Sequence, residues 1–294
     1  MPTANPAFNN PAFQDPRTTL NGQPVGQTAY TPPAAPVDAA TQAQLEGAYA
    51  APSAGSIDTG RMTVEDTVWK TVGLFAVLVV TAAVGWVWSM APVTATNPQP
   101  TALPWIIGAL GGFGLAMAIT FSKKVRPAMI FGYAALEGLF VGSISAFFEY
   151  LYPGIVMQAT LATLSVVGVT LALFASGKVR ASKRATKIWM IAMIGYLVFS
   201  LINVILSWTG VFGPGVAFGM LSHAKILGIP LGVLIGVVVV IMAAYSLVLD
   251  FDMIQQGVRN GAPRQYGWLG GFGIMVTVVW LYVEILRILA IARN

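Results

Sequence analysis

The residues of this chain that could do chemistry are four carboxylates and one arginine set inside apolar stretches: Glu137, Asp250, Asp252, Glu284 and Arg287. An ionisable side chain at membrane depth costs a few kcal/mol on insertion scales, so each of them marks a functional or pairing role. Glu137 stands in Ala134-Ala135-Leu136-Glu137-Gly138, about ten residues inside its segment, too deep for its charge to snorkel out. It is expected to face other helices or water, either as a carboxylate on an ion pathway or as a packing group bonded to a neighbouring helix. Asp250 and Asp252 point about 200° apart on a helix, so one faces the bundle and the other the interface. Glu284 and Arg287, at i and i+3, share a face and are expected to pair.

Whether the aspartates reach Glu284 depends on where the chain turns between them. A turn at Asn260-Gly261-Ala262-Pro263 carries the strongest turn signal, and leaves Glu284 about 12 residues, roughly 18 Å, beyond the level of Asp250. A loop extended through Gly267-Trp268-Leu269-Gly270-Gly271 brings the carboxyls level instead. Level carboxyls in a dry bundle would share a proton and act as a latch between two helices. Once deprotonated they would repel, shift one helix against the other, and offer oxygen ligands to a hard cation such as Ca²⁺. On that geometry Asp250, Asp252 and Glu284 form the expected pH sensor and gate, with Asp250 and Glu284 as Ca²⁺ ligands and no resident cofactor.

The elements that position these groups follow from hydropathy. Hydrophobic residues make up 56% of the 294 and charged residues 9%, too apolar for an ordinary soluble domain. Runs of about 20 apolar residues, the length that crosses a bilayer, occur at roughly 69–91, 104–122, 127–149, 155–176, 187–208, 229–252 and 268–291. The break at Ser122 to Pro127 separates the second from the third, because three cations and a proline do not continue through lipid. The fold class is therefore an all-α integral membrane protein of seven transmembrane helices. Glycines such as Gly108, Gly111, Gly112, Gly138 and Gly142 let those helices approach closely.

The sixteen cations sort by side. Arg17, Arg61, Lys70, Lys123, Lys124, Arg126, Lys178, Arg180, Lys183, Arg184, Lys187, Arg259 and Arg264 fall on one face of a seven-span chain. Lys225, Arg287 and Arg293 are left for the other. The positive-inside rule then predicts a cytoplasmic N-terminus and an outer C-terminus in the cell membrane. Cations in short loops between apolar spans are topology signals rather than a massed nucleic-acid surface, so the expected partner is the lipid bilayer and not nucleic acid. Residues 1–65 are expected to be a disordered cytoplasmic tail rich in Pro, Ala, Gln, Asn and Thr, without the basic start and apolar core of a signal peptide; residues 66–294 are the transmembrane domain. Asn5-Pro6-Ala7-Phe8 recurs as Asn10-Pro11-Ala12-Phe13, read as recurrence in a biased segment. The stretch from Thr209 to Gly228 is expected on the outer interface, with His223, the sole histidine, solvated.

The absence of cysteine removes thiolate metal sites and cysteine nucleophiles. Two aspartates in adjacent spans would suit an intramembrane aspartyl protease, but the Gly-x-Gly-Asp motif that such enzymes share is missing. No enzyme activity is expected.

Three patches, Leu136-Glu137-Gly138, Asp250 with Ile254 four residues on, and Leu281-Tyr282-Val283-Glu284, resemble the Bax inhibitor (transmembrane Bax inhibitor motif) family in its bacterial branch, over about residues 69–291. The resemblance implies seven helices with a central one wrapped by the rest, and a pH-sensitive calcium leak gated by a carboxylate pair between spans six and seven. Ile254 matches Asp250 to the family's sixth-span aspartate, while the aromatic-Asp pairing Phe251-Asp252 matches Asp252. Glu stands at 284 where the family usually has Asp, and the sixth loop is longer. The expected function is thus a proton-controlled Ca²⁺ leak. A non-conducting regulator of a membrane protease or stress partner is the alternative, and a proton-coupled transporter, for which no inverted repeat speaks, is a third.

Overall fold

In a computed structural model, residues 59–94, 99–209, 211 and 218–293 are described. Seven helices long and apolar enough to cross a membrane run through them: α1 Val64–Met90, α2 Leu103–Phe121, α3 Pro127–Leu151, α4 Ile155–Ala175, α5 Lys183–Trp208, α6 Leu231–Arg259 and α7 Gly267–Arg293. The seven expected spans are all present. Their starts and stops follow local chemistry. Thr63 caps α1 by accepting from the Asp66 amide at 3.1 Å, Ser182 caps α5 by accepting from the Ala185 amide at 3.2 Å, and Pro127 opens α3. Between α5 and α6 lie one helical turn, Met220–His223, and an antiparallel pair of two-residue strands, Lys225–Ile226 and Ile229–Pro230. The side chain of His223, like the expected tail from 1 to 58, lies outside the described residues.

Helices α6 and α1 run furthest beyond the ends that hydropathy alone predicts. Helix α6 continues to Arg259 because its last two turns leave the apolar region as a polar extension. There Gln256 donates to Asp252 at 2.7 Å, and Arg259 and Arg180 both donate to Gln255 at 3.0 and 2.9 Å. Helix α1 begins at Val64, within the stretch expected to be tail. Just before it, the Met62 amide donates to the Ala262 carbonyl at 2.7 Å and the Arg264 amide to the Gly60 carbonyl at 2.9 Å. Met62, 2% exposed, is part of the core. The packed structure therefore starts before residue 65, along the α6–α7 turn.

Helix α7 is the central one. It packs against α1, α3, α4 and α6, and over half of its apolar span is buried, against 6% for α5. Glycines make this closeness achievable where lipid supplies no hydrophobic drive. Gly138 and Gly142 of α3 bring the backbone of α1 against them at the carbonyls of Leu78 and Ala82, and Gly85 of α1 meets the Leu139 carbonyl. Gly267, Gly270 and Gly271 open α7 against Thr67, Lys70, Thr71 and Leu74 of α1, with Gly270 also touching Ile254 of α6. A buried hydrogen bond between Ser145 and Tyr282, 2.6 Å, ties α3 to α7.

Candidate functional site

The α6–α7 hairpin reverses at Asn260 to Pro263, with a single turn of tighter helix at Arg264–Tyr266, and α7 is already helical at Gly267. The glycine run from 267 to 271 is thus a packing surface and not a loop. This fixes the register: Ile254 lies against Gly270, Asp250 against Thr277, and Gly236 against Glu284 and Ile288.

Asp250 is 2% exposed and accepts a hydrogen bond from the Thr277 hydroxyl at 2.6 Å; the Ser246 hydroxyl stands 3.5 Å from that of Thr277. Asp252 is half-buried on the polar extension with Gln256 as its partner. Glu284 is 3% exposed. Arg287 grips it with both arms of its guanidinium, Nε at 3.1 Å from Oε2 and Nη2 on Oε1. The Tyr196 hydroxyl of α5 adds a third donor at 3.1 Å.

The level pair of Asp250 and Glu284 that the extended loop would produce is therefore corrected. Thr277 occupies the position opposite Asp250, and Glu284 lies seven residues farther along the same face of α7, about 10 Å at 1.5 Å per residue. Asp250 sits nine residues from the end of α6 and Glu284 nine from the end of α7. Since the helices are antiparallel, the two carboxyls occupy opposite halves of one seam. Ala243, Leu247 and Leu281, each with no exposed surface, fill the stretch between them. Asp250 and Glu284 accordingly do not share one cation in this conformation. Among the described residues no group of three or more His, Cys, Asp or Glu gathers as a metal site.

Glu137 lies away from this seam, half-buried between α2 and α3. Its carboxylate is bonded by Tyr133 one turn back and abuts Gly112. Tyr133 in turn meets Phe272 of α7 edge-on, ring centres 4.9 Å apart.

Three partners escaped the sequence reading. Thr277 and Tyr196 are neutral, so their presence at membrane depth raises no alarm; the signal for Thr277 was its place two turns below Glu284 on the same face. The third is a network at the basic end of the molecule. Arg264 donates to Asp66 Oδ1 through Nε and Nη2 at 3.0 and 2.8 Å, while Lys70 pairs with the other oxygen and donates to the Arg264 carbonyl at 2.7 Å. Lys70 also lies 5.4 Å from the centre of the Trp268 ring. Asp66 and Lys70, i and i+4 in the first turns of a capped helix, were its legible part. The network clamps α1 to the turn that sets the register of the seam.

No curated protein matches the chain, and no solved structure does. A family model does: the one described as Bax inhibitor 1 like covers residues 5–294, extending the likeness well beyond the transmembrane patches into the N-terminal stretch. Each of those patches holds a helix interface, through Gly138 on α1, Ile254 on Gly270 and Tyr282 on Ser145. With seven apolar helices around a central α7, this is a multi-pass membrane protein, and it belongs to the Bax inhibitor 1 like family.

Proposed function

We propose that the protein is a pH-sensitive calcium leak of the cell membrane, oriented with its N-terminus in the cytoplasm, in which Asp250 and Glu284 are two successive stations rather than one latch. The observation that carries this reading is the burial of both carboxyls on a single α6–α7 seam, one in each half of the span. Ionisable groups at such depth are costly and rare, and where they occur they mark paths for ions or protons. Asp250, with the hydroxyls of Thr277 and Ser246, presents the hard oxygen ligands that suit Ca²⁺ as cargo. The dry layer of Ala243, Leu247 and Leu281 closes the path between the stations, as an apolar constriction does by excluding water. Protons compete with Ca²⁺ for the carboxyl oxygens, which makes the leak respond to pH. Glu137, half-buried against Gly112 and off the seam, is assigned to packing α2 on α3.

Purified protein in liposomes loaded with a calcium dye should conduct Ca²⁺ at a rate that changes between acid and neutral pH. Deletion of residues 1–58 separates this from a non-conducting regulator. That cut spares the Gly60 to Met62 pairing with the α6–α7 turn, so the leak should survive unchanged. A protein that conducts nothing at any pH, and whose cellular role is lost with the tail, is a regulator instead.

A further inference from the structure

Helix α5 is joined to the bundle in a different manner from α1 and α3. It has no glycine-on-backbone seam; its backbone approaches the rest sparsely, chiefly at α6 and the Met220–His223 turn. Of its described side chains only Asn203 is buried, and Ile188, Ile191, Leu197 and Leu201 stand out into the surroundings. What holds it is a row of hydrogen bonds along one face. Thr186 bonds the Tyr245 hydroxyl at 3.0 Å, and Trp189 donates to the Met242 carbonyl at 2.8 Å. Tyr196 reaches past α6 to Glu284 at 3.1 Å. Asn203 donates to the Phe218 carbonyl at 3.2 Å and accepts from the Met220 amide at 2.8 Å. Trp189, Tyr196 and Asn203 are spaced by seven, so they lie on one stripe.

Long aromatic side chains span this interface, and single hydrogen bonds between membrane helices are weak, because each group finds other partners when parted. An element with few buried contacts is the one that opens first. The Ser200 hydroxyl, one turn on along the same helix, already bonds Tyr196, and its oxygen can accept from Tyr196 in place of Glu284. When Tyr196 lets go, Glu284 keeps Arg287 and loses only its cover.

We propose that α5 is a lateral cover over the Glu284 station and that Tyr196 is the catch that holds it shut. The proposal rests on the reading of Glu284 as a station of a leak. Displacement of α5 opens the outer half of the seam sideways between α5 and α7, giving a hydrated cation access to Glu284 while Ala243, Leu247 and Leu281 still seal the inner half.

The chain has no cysteine, so pairs of spin labels can be placed on the full-length protein in lipid nanodiscs without background. One pair, Val79→Cys with Leu197→Cys, reports α1 to α5; a control pair, Val79→Cys with Leu161→Cys, reports α1 to α4. All three sites are more than half exposed. Tyr196→Phe should broaden the 79–197 distance distribution or add a second component, leave the 79–161 distribution as in the parent, and raise Ca²⁺ flux in liposomes severalfold. An unchanged 79–197 distribution overturns the cover whatever the flux does. A shifted 79–197 distribution with no flux from either protein supports the moving helix and removes the leak reading. Disturbance of both distances shows a loosened bundle and counts against Tyr196 as a catch.

Discussion

Replacing Glu284 by glutamine should destabilise the protein by about 3–5 kcal/mol, because it leaves the Arg287 guanidinium buried at membrane depth without its counter-charge. The side chains of Glu284 and Arg287 are 4% and 15% exposed, so little solvent is at hand to take over. Tyr196 could still bond the amide, but a neutral amide returns only a fraction of an ion pair's attraction. The mirror change, Arg287→Met, should cost a similar amount by stranding the carboxylate with Tyr196 alone. Removing both charges together, Glu284→Gln with Arg287→Met, should recover most of the loss, since replacing a whole buried pair is often close to neutral. Thermal unfolding of the three variants in detergent, followed by size exclusion, reads the cycle. Additive losses in the double variant would show that the two residues do not act as a pair.

The second large effect concerns packing. Gly142→Leu should cost about 3 kcal/mol or more, at the upper end for overpacking, because the new side chain meets the Ala82 backbone, which cannot rotate away. Gly114→Leu and Gly168→Leu, where a β-carbon meets nothing within 4 Å, should be close to neutral. Stability measured on the three variants separates glycines that hold helices together from those that merely lie in them. If Gly142→Leu matched Gly168→Leu, the close α1–α3 seam would be wrong.

That contrast also marks what could be read from residues alone. Seven spans and their order were legible because lipid demands about 20 apolar residues per crossing and the cationic loops alternate with them. Which glycines carry an interface was not, since Gly142 and Gly168 look alike until a neighbouring backbone is placed. The same ambiguity left the α6–α7 register open. Gly267, Gly270 and Gly271 suit a loop by composition, yet in the fold they are the surface on which α7 lies against α1 and α6. The turn at Asn260 to Pro263 carried the better signal, and the clamp of Asp66 and Lys70 on Arg264 fixes it there. The charged half of the site was therefore visible at once, as groups out of place. Its neutral half, Thr277 and Tyr196, became visible only when the helices were set side by side.

The register changes what the carboxyls can do. A level pair holds one proton and one cation between two helices. In the proposed leak, carboxyls about 10 Å apart along the seam, with Leu247 and Leu281 between them, would hold a cation one at a time, with the barrier in the apolar layer. Glu284 is held by the Arg287 guanidinium, and Asp250 accepts from the Thr277 hydroxyl. In the proposed leak Asp250 is the station built with the hydroxyls of Thr277 and Ser246, and the change to asparagine preserves its shape and its ability to accept from Thr277.

The most direct test is Ca²⁺ entry into dye-loaded liposomes carrying the parent protein, Asp250→Asn or Glu137→Gln, each measured from acid to neutral pH. The account predicts a pH-dependent flux for the parent, a loss of about tenfold or more in Asp250→Asn, equivalent to at least about 1.4 kcal/mol on the barrier, with the pH dependence flattened, and parent-like behaviour in Glu137→Gln. Equal flux and an unchanged pH profile in Asp250→Asn would contradict it.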